Sequence, residues 1–328
     1  MVEEDGDFKP DISVVIPLYN KEEFIARAIR SVLGQSYESF ELIIIDDGST
    51  DNSYDVARNF SDPRVVILRQ ENKGEGQARN SGIDHARGKI VAFLDADDIW
   101  TPDHLKTIYD LYCAFPSAGL FSTKITHARI GNDEVDLPVL TDRLAIIDYF
   151  KESVTNLAIV SSSSAAMNLS VIGNDAFFKT YKFAADTECW MRIASKHNVA
   201  VADKVTAIYF QGVGGVMDGL TREGGFFRRE IGSLLEASPK LHHGWELHKK
   251  FPKDKSIRRF SENATFRFVR GALYWGEYEN ALKVSTWAAE YSFKFRVLAF
   301  LMKRKILFGK TISIIRIVKV RFWNMRQL

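Results

Sequence analysis

Short apolar runs alternate with segments of helical pattern through the first 115 residues of the chain. The apolar runs, each the length of a buried strand, cover residues 12–17, 40–45, 65–69 and 90–94. Segments that we predict as helices lie between them, at 21–34, 51–60 and 77–86. This alternation predicts parallel strands joined by right-handed crossovers. We therefore predict an α/β fold with a mainly parallel, Rossmann-like sheet that carries helices on both faces.

The fourth apolar run stops at a cluster of carboxylates. Asp95, Asp97 and Asp98 follow Leu94 almost directly, and like charges this close raise the energy unless a cation or hydrogen-bond donors compensate them. Ligands of open α/β sheets bind just outside the carboxyl ends of the strands. Carboxylate oxygens there suit Mg²⁺ or Mn²⁺, which usually also bind a substrate's phosphates. The alternative is a polar turn in which Asp98 or Thr101 caps the next helix.

Charge and composition exclude several classes of protein. The net charge of the 328 residues is +2, so no overall field favours nucleic acid. The two cysteines are too few for a disulfide framework and lack the spacing of a metal site. The first ten residues are acidic and polar, without the pattern of a secretory signal, and no apolar stretch approaches the about 20 residues of a membrane span. We expect a cytoplasmic protein that does not bind nucleic acid.

The segment 292–328 combines basic and apolar residues. It contains ten Lys and Arg residues and no Asp or Glu, with aromatic and aliphatic residues between them. Such interleaving is typical of a helix that lies on an anionic membrane surface. The alternative is a C-terminal helix whose apolar side packs on the main domain. We expect the segment to hold the protein peripherally at the inner face of the membrane.

Five motifs follow one another along residues 11–210. In one-letter code they are VVIPLYN at 14–20, IDDGSTD at 45–51, ARNSG at 78–82, FLDADD at 93–98, and Asp186 with Trp190 and Arg192. Their order and spacing resemble the family 2 glycosyltransferases, inverting enzymes of the GT-A fold that use nucleotide sugars. The resemblance implies a GT-A catalytic domain, and none of the motifs lies in residues 216–328.

The resemblance also implies roles for residues at the strand ends. Asp47 would accept a hydrogen bond from uracil, and the ring of Tyr19 would stack on the base. Asp95 would bind a ribose hydroxyl, and Asp97 would coordinate Mg²⁺ or Mn²⁺ on the donor's diphosphate. For Arg79, the alternative to a nucleotide contact is a structural or solvated arginine. The predicted nucleotide-sugar site thus consists of Pro17, Tyr19, Asp47, Arg79 and Asp95.

The catalytic base of the family is a carboxylate that opens a helix. Asp186 matches this base, which would take the proton of the acceptor hydroxyl, and Glu188 is the fallback. Ala185 stands where the family usually has an acidic residue. The alternative for Asp186 is a helix N-cap. Trp190 would line the acceptor pocket or belong to the core.

A second departure from the family follows the last predicted strand. The family often has a histidine there, near the metal or the diphosphate, whereas this chain reads QGVGG at 211–215. Metal binding would then depend more heavily on Asp97, the diphosphate and water. The glycines would permit a lid over the donor.

The resemblance predicts a metal-assisted, inverting glycosyltransferase that moves a sugar from a UDP-sugar to a lipid-linked or polysaccharide acceptor. A nucleotidyltransferase is one alternative, although it usually has a glycine-rich, basic loop where this chain has residues 17–20. A non-catalytic nucleotide-sugar-binding protein is the other, with Ala185 as its support. The predicted domains are a tail at 1–10, the GT-A domain at 11–215, a helical region at 216–291 and the membrane-associating segment at 292–328.

Overall fold

The chain divides into two compact units, Met1–Val213 and Gly214–Leu328. The computed structural model describes residues 9–129, 141–156, 159–180, 185–211 and 238–303. The glycine-rich residues 212–215, predicted as a lid, and residues 304–328 of the basic segment lie outside these ranges.

In the described residues of the first unit, a nine-stranded sheet forms the centre. Its strands are β1 Ile12–Leu18, β2 Phe40–Asp46, β3 Val65–Arg69, β4 Ile90–Phe93, β5 Ile99–Trp100, β6 Leu120–Arg129, β7 Leu144–Ile147, β8 Ala165–Asn168 and β9 Val199–Gln211. The strand order is β3-β2-β1-β4-β8-β6-β9-β5, and β7 pairs with β9. The first four strands are parallel, as predicted. The later strands are mixed, since β8 is antiparallel to both β4 and β6 while β9 is parallel to β6.

Helices accompany this sheet in the described residues. They are α1 Ile25–Leu33, α2 Ser53–Arg58, α3 Glu75–His85, α4 His104–Ala114, α5 Tyr149–Glu152, α6 Leu169–Ile172 and α7 Ala185–Ala194. In α1, the buried residues Ile25, Ala28, Ile29 and Val32 recur at helical spacing on one face. They join residues of β1, β2 and β4 in the main core of the unit.

The strand register leaves the end of β1 without a pairing partner on the side of β4, and we call this place the crevice. Pairing of β1 with β4 ends at Val15 and Phe93, whereas pairing with β2 continues to Leu18 and Asp46. The carbonyl of Val15 faces β4, where it accepts a hydrogen bond from Leu94, so the nitrogen of Pro17 faces the same side. Proline lacks an N–H group and is tolerated where a strand has no partner to receive one. The strands β2 and β4 lie on opposite sides of β1, which makes this crevice the place where an open α/β sheet binds its ligand.

The described part of the second unit consists of four helices. They are α8 Pro239–Lys250, α9 Lys255–Tyr274, α10 Tyr278–Ala288 and α11 Phe293–Lys303. Their core contains Trp245 and Phe268, together with Phe295 and Met302 from α11. Within the described residues, no helix combines the length and the apolar character needed to cross a membrane.

The position of α11 places one face of this part of the segment 292–328 in a core, and the membrane association stays a prediction. Phe295, Ala299 and Met302 lie on one face of α11 and are buried, two of them in the core of the helical unit. The first third of the predicted membrane segment therefore contributes to the core of the helical unit, while Phe293, Val297 and Phe300 of the same helix are exposed. The apolar pattern of this segment fits a core helix and a membrane-surface helix equally, because both require an apolar stripe at helical spacing.

Candidate active site at the carboxyl ends of the parallel strands

The loops after β1, β2 and β4 are connected by hydrogen bonds and an ion pair. The N–H of Asn20 donates to Ser49 Oγ at 3.1 Å, and the N–H of Thr50 donates to Asn20 Oδ1 at 2.8 Å. Lys21 Nζ lies 2.7 Å from Asp97 Oδ2. Asn20 has a φ of +50°, a left-handed conformation that asparagine tolerates better than most residues. These contacts bring the predicted donor residues to one edge of the sheet.

Tyr19 presents an aromatic ring to solvent at this edge. It directly follows β1, and 45% of it is exposed. An aromatic ring in this position offers a flat apolar surface and a hydroxyl group to a ligand. The geometry is compatible with the predicted stacking on a base.

Asp47 shapes the turn that precedes α3. Its Oδ1 accepts hydrogen bonds from Gln70 Nε2 at 2.7 Å and from the N–H of Lys73 at 2.9 Å, while Oδ2 accepts from the N–H of Gly74 at 2.8 Å. The residue is buried. A carboxylate offers about four acceptor positions, so three of them already have donors. The hydrogen bond to uracil stays a prediction.

Arg79 is the counter-ion of Asp95. Its Nη2 donates to Asp95 Oδ1 at 2.7 Å and also contacts Glu75, and its guanidinium lies 5.4 Å from the ring centroid of Phe178. Only 2% of Arg79 is exposed, which leaves almost no surface for a nucleotide. The structure therefore corrects the predicted nucleotide contact in favour of a structural arginine, which acts on the site through Asp95.

Negative charge is concentrated around the Asp-x-Asp motif. Burial raises the pKa of Asp95 to about 7; Glu75 and Asp97 raise it too, and Arg79 opposes them. Burial, together with the charges of Asp95 and Asp97, also raises the pKa of Asp98 well above its usual value. Such shifts mark a place where a further positive charge would lower the energy.

Asp98 connects the end of β4 to two other parts of the chain. It is fully buried and accepts hydrogen bonds from the hydroxyl of Ser163 and from the N–H of Phe210 at 3.0 Å. Helix α4 begins at His104, after Asp103. The alternative in which Asp98 caps this helix is therefore wrong, because both of its oxygens bind elsewhere.

Asp97 is held by two cations from the segment after β1. Its carboxylate pairs with Lys21, and its backbone oxygen accepts a hydrogen bond from Arg27 Nη2. The guanidinium of Arg27 lies 3.7 Å from the ring centroid of Phe210. In the sequence, Lys21 is an ordinary lysine at the start of a helical pattern, so nothing there predicts this contact.

The described residues contain no group of three or more His, Cys, Asp or Glu side chains that could hold a metal ion. Of the three clustered carboxylates, Asp98 is buried and points inward, while 14% of the Asp97 side chain is exposed at the crevice. Mg²⁺ and Mn²⁺ can be bound by one or two carboxylates when substrate phosphates and water supply the other ligands. Asp97 and the raised pKa of Asp95 fit a cation of that kind.

A turn of three serines brings Asp186 next to the Asp-x-Asp motif. The hydroxyl of Ser162 donates to Asp186 Oδ2 at 3.2 Å, and the N–H of Asp95 donates to Ser163 Oγ at 3.2 Å. These serines belong to the 3₁₀ turn Ser162–Ser164. Asp186 and Asp95 thus contact neighbouring residues of one short turn. The serine run is visible in the sequence, but its partners are not.

Arg79 provides a second connection between Asp95 and Asp186. Burial lowers the pKa of this guanidinium, whereas the charges of Glu75, Asp95 and Asp186 raise it, and the increase prevails. Asp186 lies at the start of α7 and is partly exposed. It combines access to solvent with a nearby buried positive charge, which suits a carboxylate that reacts in its ionised form.

Glu188 occupies a different environment from Asp186. It is fully buried, and its Oε1 lies 3.1 Å from both Arg192 Nε and Lys179 Nζ. A carboxylate held by two cations in the interior has no access to an acceptor hydroxyl. The geometry therefore favours Asp186 over the fallback Glu188 as the candidate base.

Trp190 belongs to the core of the unit. Its ring centroid lies 5.9 Å from that of Phe93 and 5.5 Å from that of Phe178, and it is almost completely buried. This position corrects its assignment to an acceptor pocket, because a side chain enclosed by other rings cannot line a pocket. Trp190 instead packs α7 against Phe93 and Phe178.

Asn80 fixes the segment that precedes the candidate base. Its Nδ2 donates to the carbonyl of Phe178 at 2.9 Å, and its Oδ1 accepts from the N–H of the same residue at 2.7 Å. Two bonds to one backbone unit hold residue 178 against α3. In the same helix, a side chain at Gly82 would overlap Val15 of β1. The motif at 78–82 therefore joins the donor edge, the base segment and the sheet.

Residues 13–137 match the model of the family described as "Glycosyl transferase family 2". The chain carries a family 2 glycosyltransferase domain. An uncharacterized glycosyltransferase, alr2836 of Nostoc sp., is 44% identical over 104 residues, which are 31% of this chain and 32% of that protein. The putative teichuronic acid biosynthesis glycosyltransferase TuaG of Bacillus subtilis is 39% identical over 120 residues, 34% of this chain and 48% of that protein. The chain thus spans about a third to a half of the length of these relatives.

Solved structures of similar fold cover nearly the whole chain. The crystal structure of S. aureus TarS 1-349 has a TM-score of 0.56 at 17% identity, over 96% of this chain and 91% of that one. The mannosyltransferase PcManGT from Pyrobaculum calidifontis, in complex with GDP-Man and Mn²⁺, has a TM-score of 0.55 at 17% identity, over 94% and 84%. The predicted GT-A fold with a helical C-terminal region is confirmed.

Proposed function

We propose that this glycosyltransferase moves a sugar from a UDP-sugar to a hydroxyl group of a polysaccharide or lipid-linked acceptor, with inversion and with a divalent cation. The proximity of Asp186 to the Asp-x-Asp motif carries the proposal. Ser162 binds Asp186 and Ser163 binds Asp95, so a candidate base lies beside a candidate donor site. An enzyme that joins an acceptor to a nucleotide sugar needs both groups in one crevice.

The donor would lie over the ends of β1, β2 and β4. Tyr19 would stack on the uracil. Asp47 would accept a hydrogen bond from the uracil N–H at the acceptor position that Gln70 and the turn before α3 leave open. A structure of TarS in complex with UDP-GlcNAc, with a TM-score of 0.55 over 90% of this chain, supports a UDP-sugar as donor. The name of TuaG, which refers to teichuronic acid biosynthesis, supports a polysaccharide as acceptor.

Asp97 would hold the divalent cation together with the diphosphate, and the Mn²⁺ of the PcManGT complex supports this expectation. The cation would stabilise the charge that develops on the departing diphosphate. Asp95 would bind the ribose, and its contact with Arg79 would hold it in place. Asp186 would take the proton of the acceptor hydroxyl, which attacks from the face opposite to the diphosphate.

The basic residues beyond α11 would bring the enzyme to the inner face of the cytoplasmic membrane. Since α11 fills the core of the helical unit, removing the segment from residue 292 would damage the fold, and charge changes are the cleaner test. We expect Lys310→Glu/Arg316→Glu/Lys319→Glu to lose sedimentation with anionic vesicles while it keeps UDP binding. Each basic residue near an anionic surface contributes about 1 kcal/mol. Unchanged sedimentation would show that these charges do not bind lipid.

A donor screen tests the enzymatic proposal. Purified protein is incubated with several UDP-sugars, Mn²⁺ and a polysaccharide acceptor, and released UDP is measured. We expect release from one UDP-sugar that depends on the acceptor, is abolished by chelator, and is lost in Asp97→Asn and Asp186→Asn. Binding of UDP-sugars without release would favour the non-catalytic alternative. Release of pyrophosphate from a nucleoside triphosphate would favour the nucleotidyltransferase.

A further inference from the structure

Each of the two carboxylates of the Asp-x-Asp motif already contacts a cation. Asp95 pairs with Arg79, and Asp97 pairs with Lys21, both at 2.7 Å. Each cation offsets part of the negative charge at its carboxylate, although Arg79 is shared with Glu75. A cation that approaches Asp97 alone would also meet the ammonium of Lys21 and be repelled by it.

The two pairs differ in their freedom to rearrange. Arg79 is 2% exposed and bound by two carboxylates beside the ring of Phe178. Lys21 is less buried, with 17% of its side chain exposed, and its ammonium lies 5.8 Å from the ring centroid of Phe24. A lysine carries a compact charge on a flexible four-carbon stem, whereas the guanidinium of an arginine is planar and directional. Lys21 is therefore the cation of this site that can change partners.

The surroundings of Lys21 would stay in place during such a change. Its backbone N–H donates to Ser53 Oγ at 2.7 Å, which fixes the base of the stem. The backbone oxygen of Asp97 is held separately by Arg27. When the ammonium leaves, the loop that carries Asp97 thus retains an anchor.

We propose that Lys21 couples donor binding to metal binding. It neutralises Asp97 in the empty site and moves to the diphosphate when the donor enters, and the divalent cation then takes its place on Asp97. The inference rests on the proposed function, since it requires a donor with a diphosphate group. No covalent bond is formed or broken. The ammonium group of Lys21 leaves the carboxylate of Asp97 and contacts phosphate oxygens instead.

The consequence is that the cation and the donor bind as a unit. The described residues offer no cluster of three ligands for a metal, so phosphate oxygens must supply part of the coordination. The positive charge of Lys21 repels a metal ion that arrives alone and attracts the diphosphate of the donor. By linkage, the donor then raises the affinity for the metal by the same factor by which the metal raises the affinity for the donor.

Binding of Mn²⁺ to the full-length protein, measured from the electron paramagnetic resonance signal of free Mn²⁺ with and without UDP, tests this role. We expect the wild type to bind Mn²⁺ at least about tenfold more tightly when UDP is present, within the usual range of coupling between sites. Lys21→Gln should bind Mn²⁺ more tightly than the wild type without UDP and should bind UDP less tightly with Mn²⁺, so that the coupling shrinks. Lys21→Arg keeps the charge and should retain weak binding of Mn²⁺ alone.

Lys89→Gln is the matched control, because it removes one exposed lysine just before β4, at the opposite end of that strand from Asp97. It should behave as the wild type. If Lys21→Gln and the wild type bind Mn²⁺ equally both with and without UDP, the role of Lys21 is overturned while the proposed function stands. If the wild type binds no UDP at any Mn²⁺ concentration, the proposed function is overturned and this role with it.

Discussion

Replacing Asp186 by Asn should stop sugar transfer and leave the fold intact. The two side chains have nearly the same size, and the hydroxyl of Ser162, at 3.2 Å, can donate to the amide oxygen as it does to the carboxylate. The amide cannot accept the proton of an acceptor hydroxyl. Loss of a general base lowers turnover by about 10²- to 10⁴-fold. The melting temperature and the affinity for UDP should stay close to those of the wild type.

Replacing Glu188 by Gln should lower the stability of the fold and leave turnover nearly unchanged. Glu188 is fully buried between Arg192 and Lys179, and a neutral side chain weakens both contacts. We expect a loss of about 1.5–3 kcal/mol, the range for hydrogen bonds to charged groups. Breaking a fully buried ion pair costs about 3–5 kcal/mol. The loss should be smaller here, because Lys179 is half exposed and Arg192 also donates to the carbonyl of Phe177.

The two variants are compared by UDP release and by thermal unfolding. For a unit of this size, about 1 kcal/mol corresponds to about 2–4 °C, so Glu188→Gln should melt about 3–12 °C below the wild type at nearly full turnover. The reasoning is refuted if Glu188→Gln abolishes turnover at an unchanged melting temperature while Asp186→Asn remains active. The base would then be Glu188, and α7 would have to adopt another position during the reaction.

Three further perturbations test other parts of the first unit. Asp47→Ala removes the acceptor of the 72–74 turn and should weaken UDP binding about tenfold or more in calorimetry; an unchanged affinity would remove Asp47 from the donor site. Gly82→Ala should cost about 1–3 kcal/mol in urea unfolding because its side chain overlaps Val15, and the same change should cost less when it is made in a Val15→Ala background. Burial lowers the pKa of His104 from 6.5 to about 3, so between these values the unfolded state binds a proton that the folded state does not. Stability should therefore fall with decreasing pH by up to about 1.4 kcal/mol per unit, and an equal slope in His104→Gln would contradict this origin.

The amino-acid pattern alone predicts the first four strands of the sheet and the edge at which the site lies. Apolar runs at 12–17, 40–45, 65–69 and 90–94 correspond to β1 to β4, because helices between short buried strands leave parallel pairing as the simple solution. Parallel strands end on one side, so the residues that follow them had to converge there. The resemblance of the motifs to family 2 glycosyltransferases then named the chemistry expected at that edge.

The pairing of charges within the site depends on how the chain folds in three dimensions. Lys21 contacts Asp97, Arg79 contacts Asp95, and Ser162 contacts Asp186, in each case between segments far apart or unrelated in pattern. Periodicity assigns faces only to regular elements, and most of these residues lie in turns or at helix ends. Their side-chain directions follow from the packing of several elements at once.

Burial was equally a matter of the tertiary structure. Trp190 and the apolar stripe of α11 have patterns that suit a pocket or a membrane as well as a core, and neighbouring aromatic side chains place both inside. The sequence records how apolar a helix face is. Only the folded chain shows whether protein covers that face.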